Sequence, residues 1–371
     1  MKVECVKEKL RGAITHAERV TGKNLSLPIL SSLLIEAREK TLLVRATNLD
    51  IGVELEVPAK VIEKGKVAVS GALLNNFLGL VSDGDVLKIG TMNDNLSLTT
   101  RTTSSVVKCL SSDDFPTIPH LAETNTLLIQ PAKLVAGLRS VVYAASLSDM
   151  KPEIASVYVY QDETDIVFVA TDSFRLAEKR YPVKEKEQQG EALSIIIPFK
   201  NALEIIRIFE SCQDTIFIQY TKNQISFTSE QAGVYVTSRL VGGVFPNYQQ
   251  IVSSDKKTEV VVSKKELFQA LRLATLFTDK FNQVTFHVAP EESVCEVSSK
   301  NTDTGENSTR LDATVEGEAI TVSFNNKYVM DCFGSIEEDT LSLAFNGASR
   351  PMVIRGMGDP SFFYLAMPLN R

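Results

Sequence analysis

The chain has 371 residues, 44% of them hydrophobic and 23% charged, with a net charge of -7 and neither a Pro/Gly-rich tract nor a long block of one charge. That composition excludes large-scale disorder and supports two or three domains, each with its own core. No segment reaches the roughly 20 apolar residues of a membrane span. The charged start, Met1-Lys2-Val3-Glu4-Cys5-Val6-Lys7, lacks the apolar run of a signal peptide. Cys5, Cys109, Cys212, Cys295 and Cys332 are odd in number and never form a C-x-x-C pair, which argues for a reducing cytoplasm and against disulfides or zinc. The N-x-S/T triplets at Asn24, Asn95 and Asn307 are then chance matches.

In chain order, residues 4–21 place Val6, Leu10, Ile14 (or Ala13) and Ala17 at spacings of three and four, which predicts an amphipathic helix. Val44-Arg45-Ala46-Thr47-Asn48 reads as a strand and leads to Val69-Ser70, which opens a second, shorter helix over 70–81 with Leu73, Phe77 and Leu80 on one side. Residues 131–146 repeat the first helix, with Pro131 suited to its first turn and Leu134, Leu138 and Val142 inward. Val169-Ala170-Thr171-Asp172 then leads to Ile197-Pro198 and a helix over 198–209, about 124 to 128 residues after the first copy. A weaker third copy has a helix over 263–277, where Ser263 and Glu266 suggest a capping box, and a short one over 325–333 opened by Phe324-Asn325.

Between the helices lie alternating runs such as Val157-Tyr158-Val159-Tyr160 and Gln224-Ile225-Ser226-Phe227. They read as antiparallel strands with turns at Asp83-Gly84, Lys222-Asn223 and Gly242-Gly243. Self-similarity at so long a period means repeated domains. Each repeat is an α+β unit of two helices and about eight strands, and the boundaries fall in polar stretches near residues 121–126 and 253–258.

Signatures of catalysis are sparse. The three histidines, His16, His120 and His287, stand in no nucleophile motif, and no phosphate-loop, dinucleotide, hydrolase-elbow or metalloprotease pattern occurs. Asp113-Asp114 could hold a cation, although neighbours in an extended chain point to opposite faces. A surface turn before Phe115-Pro116 explains the pair equally well. Asp172 and Arg175 are spaced for a local turn salt bridge or a catalytic couple. Residues 361–371 are apolar nearly to the last. A closing strand accounts for them up to Ala366 but not for Met367-Pro368-Leu369, since Pro ends a ladder. The predicted helices carry more Lys and Arg than Asp and Glu, so the remainder is strongly acidic. That split suits one surface turned to phosphates, or simply solvated helices.

Leu27-Pro28-Ile29-Leu30, Ala170-Thr171-Asp172-Ser173-Phe174-Arg175-Leu176-Ala177, Phe245-Pro246-Asn247-Tyr248 and Met367-Pro368-Leu369 occur in this order across the whole chain. Together they resemble the bacterial DNA polymerase III β subunit family, the sliding clamps. The resemblance implies an α+β fold of three similar DNA-clamp domains, at 1–122, 127–252 and 256–371, each with two helices packed on antiparallel sheets. It implies a ring formed as a head-to-tail homodimer, no cofactor, no catalysis and a cytoplasmic location. The implied partners are double-stranded DNA, bound without regard to sequence, and the replicative DNA polymerase, clamp loader and repair proteins, bound through short peptide motifs.

Matched motif by motif, the peptide site comprises Ile154, Thr171, Ser173, Phe174, Arg175, Leu176, Pro246, Gln250, Ile251, Leu365, Met367, Pro368 and Leu369. DNA would be met by Arg11, Lys23, Asn24, Arg139, Ser148, Lys200 and Lys264. The chain departs from the family at Ser173-Phe174 (usually Gly-His), Gln249-Gln250 (usually a basic pair), Ala72 and Phe199 (usually basic), and Pro152-Glu153 (usually tyrosines). Two other readings remain open at this level. One is a metal-dependent hydrolase using Asp113, Asp114 or Asp172; the other is a tandem-domain scaffold that binds proteins but not DNA.

Overall fold

The computed structural model describes residues 1–22, 27–82, 86–121, 125–183, 188–252 and 256–369. Lys23, Asn24 and the turn at Asp83-Gly84 lie outside them. Six α-helices are present among the described residues, two per repeat: α1 Lys7–Val20, α2 Gly71–Leu80, α3 Pro131–Val141, α4 Phe199–Phe209, α5 Lys264–Thr275 and α6 Asn326–Asp331. Short 3-10 turns, Val142–Ala144 and Cys332–Ser335, extend α3 and α6.

Three predicted details change. The first helix starts at Lys7, because residues 2–6 form a strand between Ile51–Glu63 and Val86–Met92. There Val3 and Cys5 point inward with period two, while Val6 is the exposed N-cap. The buried face of α2 is Gly71, Leu74 and Leu78, whereas Leu73 and Leu80 are exposed, Leu80 by 89%. This helix is apolar on nearly every side, so periodicity alone cannot choose a face. The capping box of α5 is absent: Ser263 makes no cap hydrogen bond, and Glu266 Oε1 accepts instead from the Asp312 amide at 2.7 Å. A long-range donor displaces the local one. The caps at Ser70 and Asn325 do form, accepting from the amides of Leu73 at 3.4 Å and Tyr328 at 3.3 Å.

The chain divides into two compact units. The first comprises residues 1–135, 184–191 and 200–240. Its framework is the long strand Ile51–Glu63, which pairs with Thr41–Thr47, with Lys2–Val6 and, at its start, with Val234–Arg239. α1 buries Leu10, Ile14, Ala17 and Val20.

The second unit comprises residues 136–183, 192–199 and 241–371. Its nine-stranded sheet runs from Ser194–Pro198 through Ser156–Asp162, Asp165–Thr171, Arg175–Pro182 and Phe362–Ala366 to Met352–Gly356, Thr340–Phe345, Thr258–Ser263 and Ala313–Gly317. A separate four-stranded sheet orders Gly305–Arg310, Val294–Asn301, Gln283–Ala289 and Ile320–Asn325. Phe286, Phe324 and Phe345 pack ring against ring at 5.9 to 6.3 Å in its core.

The two units share one device. Val234–Arg239 lies antiparallel to Ile51–Leu55 with Thr237 opposite Gly52, and Phe362–Ala366 lies antiparallel to Arg175–Lys179 with Leu365 opposite Leu176. In each case a strand near the end of one repeat continues the sheet of the repeat before it. Close packing of helix on sheet is tightest at Gly137 of α3, where an added Cβ would lie 2.5 Å from the Phe168 ring. Gly137→Ala should therefore overpack this contact and destabilise the protein by about 2 kcal/mol, measured as a lowered urea midpoint at unchanged slope.

Candidate functional site

The motif at residues 171–176 folds into a side-chain-locked turn. Thr171 Oγ1 donates to the Arg175 carbonyl at 2.6 Å and accepts from the Ser173 amide at 3.1 Å. Asp172 Oδ1 accepts from the amides of Phe174 at 2.9 Å and Arg175 at 3.0 Å, and Ser173 takes a left-handed φ of 78°. The result pushes Phe174 outward, 61% exposed. Arg175 folds back into the protein. Its Nε meets Asp172 Oδ2 at 2.9 Å, its Nη1 bonds Asp331 of α6, and its guanidinium carbon sits 4.6 Å from the centre of the Tyr328 ring.

The end of the chain docks on this turn. After Phe362–Ala366 the Met367 amide donates to the Phe174 carbonyl at 2.8 Å, and the Leu369 amide to the Ser323 carbonyl at 2.8 Å. Pro368 is buried, while Met367 and Leu369 are half-exposed. The Phe245-Pro246-Asn247-Tyr248 segment places Phe245 and Tyr248 in one apolar cluster with Leu176 and Leu365. The same segment leaves Pro246, Gln250 and Ile251 exposed, the last two on a 3-10 turn over Gln249–Ile251.

Of the residues matched to the peptide site, Ser173, Phe174, Pro246, Gln250, Ile251, Met367 and Leu369 thus have surface to offer. Ile154, Thr171, Arg175, Leu176, Leu365 and Pro368 are buried walls and supports. Motif matching could not separate the two groups, because burial is set by strands far apart in sequence.

Of the residues matched to DNA contact, Arg11, Arg139, Ser148 and Lys200 are exposed. Lys264 is half-buried, and its Nζ donates to the Ile336 carbonyl. The same helix presents Lys265 and Arg272 to solvent, and α1 presents Lys9, cations that motif matching passed over. Their signal was the charge bias of the helices.

Two carboxylates of the hydrolase reading, Asp113 and Asp172, are otherwise engaged, and Asp114 is exposed. Lys66, 2.6 Å from Asp113, holds that carboxyl below its usual range, and Asp172 is the acceptor of the turn described above. Among the described residues no group of three or more His, Cys, Asp or Glu is placed to hold a metal ion.

Comparison with known proteins agrees over the full length. Three family models match in order: DNA polymerase III beta subunit, N-terminal domain, over residues 1–119; central domain, over 128–247; and C-terminal domain, over 249–370. Proteins named Beta sliding clamp from Synechocystis sp. and Bacillus subtilis are 27% and 26% identical, with all of this chain and 99% and 100% of theirs aligned. The crystal structure of the DNA polymerase III beta subunit of Thermotoga maritima superposes with a TM-score of 0.93 at 24% identity, over 100% of this chain and 99% of that one.

The chain belongs to the DNA polymerase III beta subunit family, the sliding clamps of DNA replication. It is accordingly built of three clamp domains and serves as a non-catalytic processivity factor.

Arg175 links the turn to α6 through two carboxylates in a mostly buried setting. Arg175→Ala should cost about 3 kcal/mol by leaving those charges without their partner, seen as a lowered denaturation midpoint.

Proposed function

We propose that two copies of this chain close head to tail into a ring around duplex DNA. The reading rests on two unlike sheet edges. Ser104–Val107 ends its sheet in the first repeat and Gly305–Arg310 ends its sheet in the third, among the described residues. An open edge is a template for another strand, and pairing two different edges is heterologous, so two copies related by a twofold axis would close with both edges used twice.

Apolar surface accompanies both repeats. Leu73 and Leu80 of α2 are exposed in the first, and Leu273 and Leu276 at the end of α5 in the third, Leu276 by 66%. The end of α5 lies against the approach to the edge strand, where Thr304 Oγ1 donates to the Leu276 carbonyl at 3.4 Å. Domain limits at 1–122, 127–252 and 256–371 put one of these edges in the first domain and the other in the third.

In such a ring Arg11, Lys23, Asn24, Arg139, Ser148, Lys200 and Lys264 would face the phosphates. Lys9, Lys265 and Arg272 extend the set. Screened attraction to phosphates carries no sequence preference and permits sliding. The cleft at Phe174, Pro246, Gln250, Ile251, Met367 and Leu369, walled by Ile154, Thr171, Ser173, Arg175, Leu176, Leu365 and Pro368, would receive short apolar peptides of the replicative polymerase, the clamp loader and repair proteins. A cytoplasmic location fits the thiols: the five cysteines are free, and burial pushes Cys5 and Cys295 up to about 12.

Retention on closed circular DNA, lost when the circle is cut, tests the ring. Leu273→Asp combined with Leu276→Asp should abolish that retention and convert the dimer to monomer in native mass measurements. A wild-type chain that is monomeric at micromolar concentration would overturn the reading. Deleting residues 367–371 should abolish binding of a peptide from the replicative polymerase while the dimer mass is unchanged, and undiminished binding would remove the cleft assignment.

A further inference from the structure

The first two repeats carry the same locked turn, and in each a buried glutamate follows at the same distance. Thr47 Oγ1 donates to the Ile51 carbonyl at 2.9 Å, Asn48 Oδ1 accepts from the amides of Asp50 and Ile51 at 3.0 Å, and Leu49 has φ 78°, as Ser173 does. Counting from Thr47 and from Thr171, the seventh residue is Glu54 in one repeat and Glu178 in the other. They are only 8% and 2% exposed.

Each glutamate takes an arginine on one oxygen: Arg45 Nε to Glu54 Oε1 at 2.8 Å, and Arg180 Nε to Glu178 Oε1 at 2.6 Å. On its other oxygen each takes a side chain from the segment that leaves the repeat after a Phe-Pro pair. For Glu54 this is His120 Nε2 at 3.2 Å, its ring stacked on Tyr235 at 4.1 Å. For Glu178 it is the hydroxyl of Tyr248. The second lock is the more elaborate. The Tyr160 hydroxyl joins that of Tyr248 at 2.8 Å, while Arg180 Nη1 reaches Asp162 at 2.7 Å. Burial beside the Glu178 carboxylate pushes the Tyr248 hydroxyl well above its usual range, so it stays a donor.

We infer that Glu178, Tyr248 and Tyr160 are positioning residues for peptide capture, acting through the segment that carries Pro246, Gln250 and Ile251. The inference rests on the cleft reading above. Those three residues are exposed, and Gln250 and Ile251 stand on a short turn whose backbone bonds are local, Ile251 N to Tyr248 O at 3.0 Å and Val252 N to Gln249 O at 3.3 Å. A local turn does not by itself fix its place on the sheet. The rings of Phe245 and Tyr248 anchor the segment in the apolar cluster, the hydroxyl pair and the glutamate add directional bonds, and a rim held in the bound geometry spares the peptide the cost of ordering it. Occurrence of the same lock on Glu54 marks it as part of the repeat plan. At the second site the lock additionally supports the cleft.

The test is a double-mutant cycle read by fluorescence binding of a labelled peptide from the replicative polymerase, with dimer mass and retention on circular DNA measured alongside. Tyr248→Phe removes one oxygen and keeps the ring in its cluster. We expect about a tenfold loss of peptide affinity, with dimer and DNA retention unchanged. Glu178→Ala should give a similar loss, the pair together no more than either alone, and Tyr160→Phe a smaller one. Ile251→Asp, placed directly on the rim, is the control. If it abolishes binding while Tyr248→Phe and Glu178→Ala bind as wild type, or if the two losses add fully, the positioning role is overturned and the cleft stands. If Ile251→Asp also binds as wild type, the cleft reading fails and the positioning role with it.

Discussion

One strand pairing underlies the rest of the structure: the strand near the end of each later repeat lies antiparallel to the strand that follows the locked turn of the repeat before it. Thr237 faces Gly52 in one case and Leu365 faces Leu176 in the other. The ladder supplies partners for backbone groups that would otherwise be stranded at a sheet edge, and it makes consecutive repeats continuous without a large dedicated interface. The turn is what makes the pairing specific. Its Thr and Asx side chains set where the outgoing strand begins, and the carbonyls of Asp50 and Phe174 accept from the amides of Arg239 and Met367 at 2.8 Å.

The two junctions decorate this shared device differently. At the first junction the residues beside the turn are Asp50, Gly52, Thr237 and Arg239, with Ile118 packed over Gly52. At the second they are Phe174, Leu176, Leu365 and Met367, with the end of the chain laid across them. The backbone is alike and the chemistry is not. Polar side chains flank one junction; apolar ones flank the other, where Phe174 is exposed and Met367 half-exposed.

Much of this was legible in the sequence. The repeat showed three domains because helix and strand periodicities recur at one long spacing, and the Asp172 to Arg175 salt bridge was readable because both ends lie in one turn. What failed did so for stated reasons. Periodicity chose the wrong face of α2 because Leu73, Leu74, Phe77, Leu78 and Leu80 satisfy more than one face. The expected box at Ser263 lost to Asp312, far along the chain. Strand Lys2–Val6 was hidden in a helix pattern, since a few residues support either period.

The sequence by itself determined the six helices, the Asp172–Arg175 turn bridge and the clamp motifs, because each depends on residues within a few positions of one another, and the repeat, because those local patterns recur at one long spacing. Only the tertiary structure decided which motif residues are surface and which are support. That division depends on strands brought together from distant parts of the chain: Leu176 and Leu365 vanish into one cluster, while Phe174 and Ile251 stay in water. The buried glutamates were likewise invisible beforehand. A carboxylate is tolerated in the interior only where its partners converge: Arg45 and His120 reach Glu54 from two other segments, and Tyr248 joins Arg180 of the same strand at Glu178.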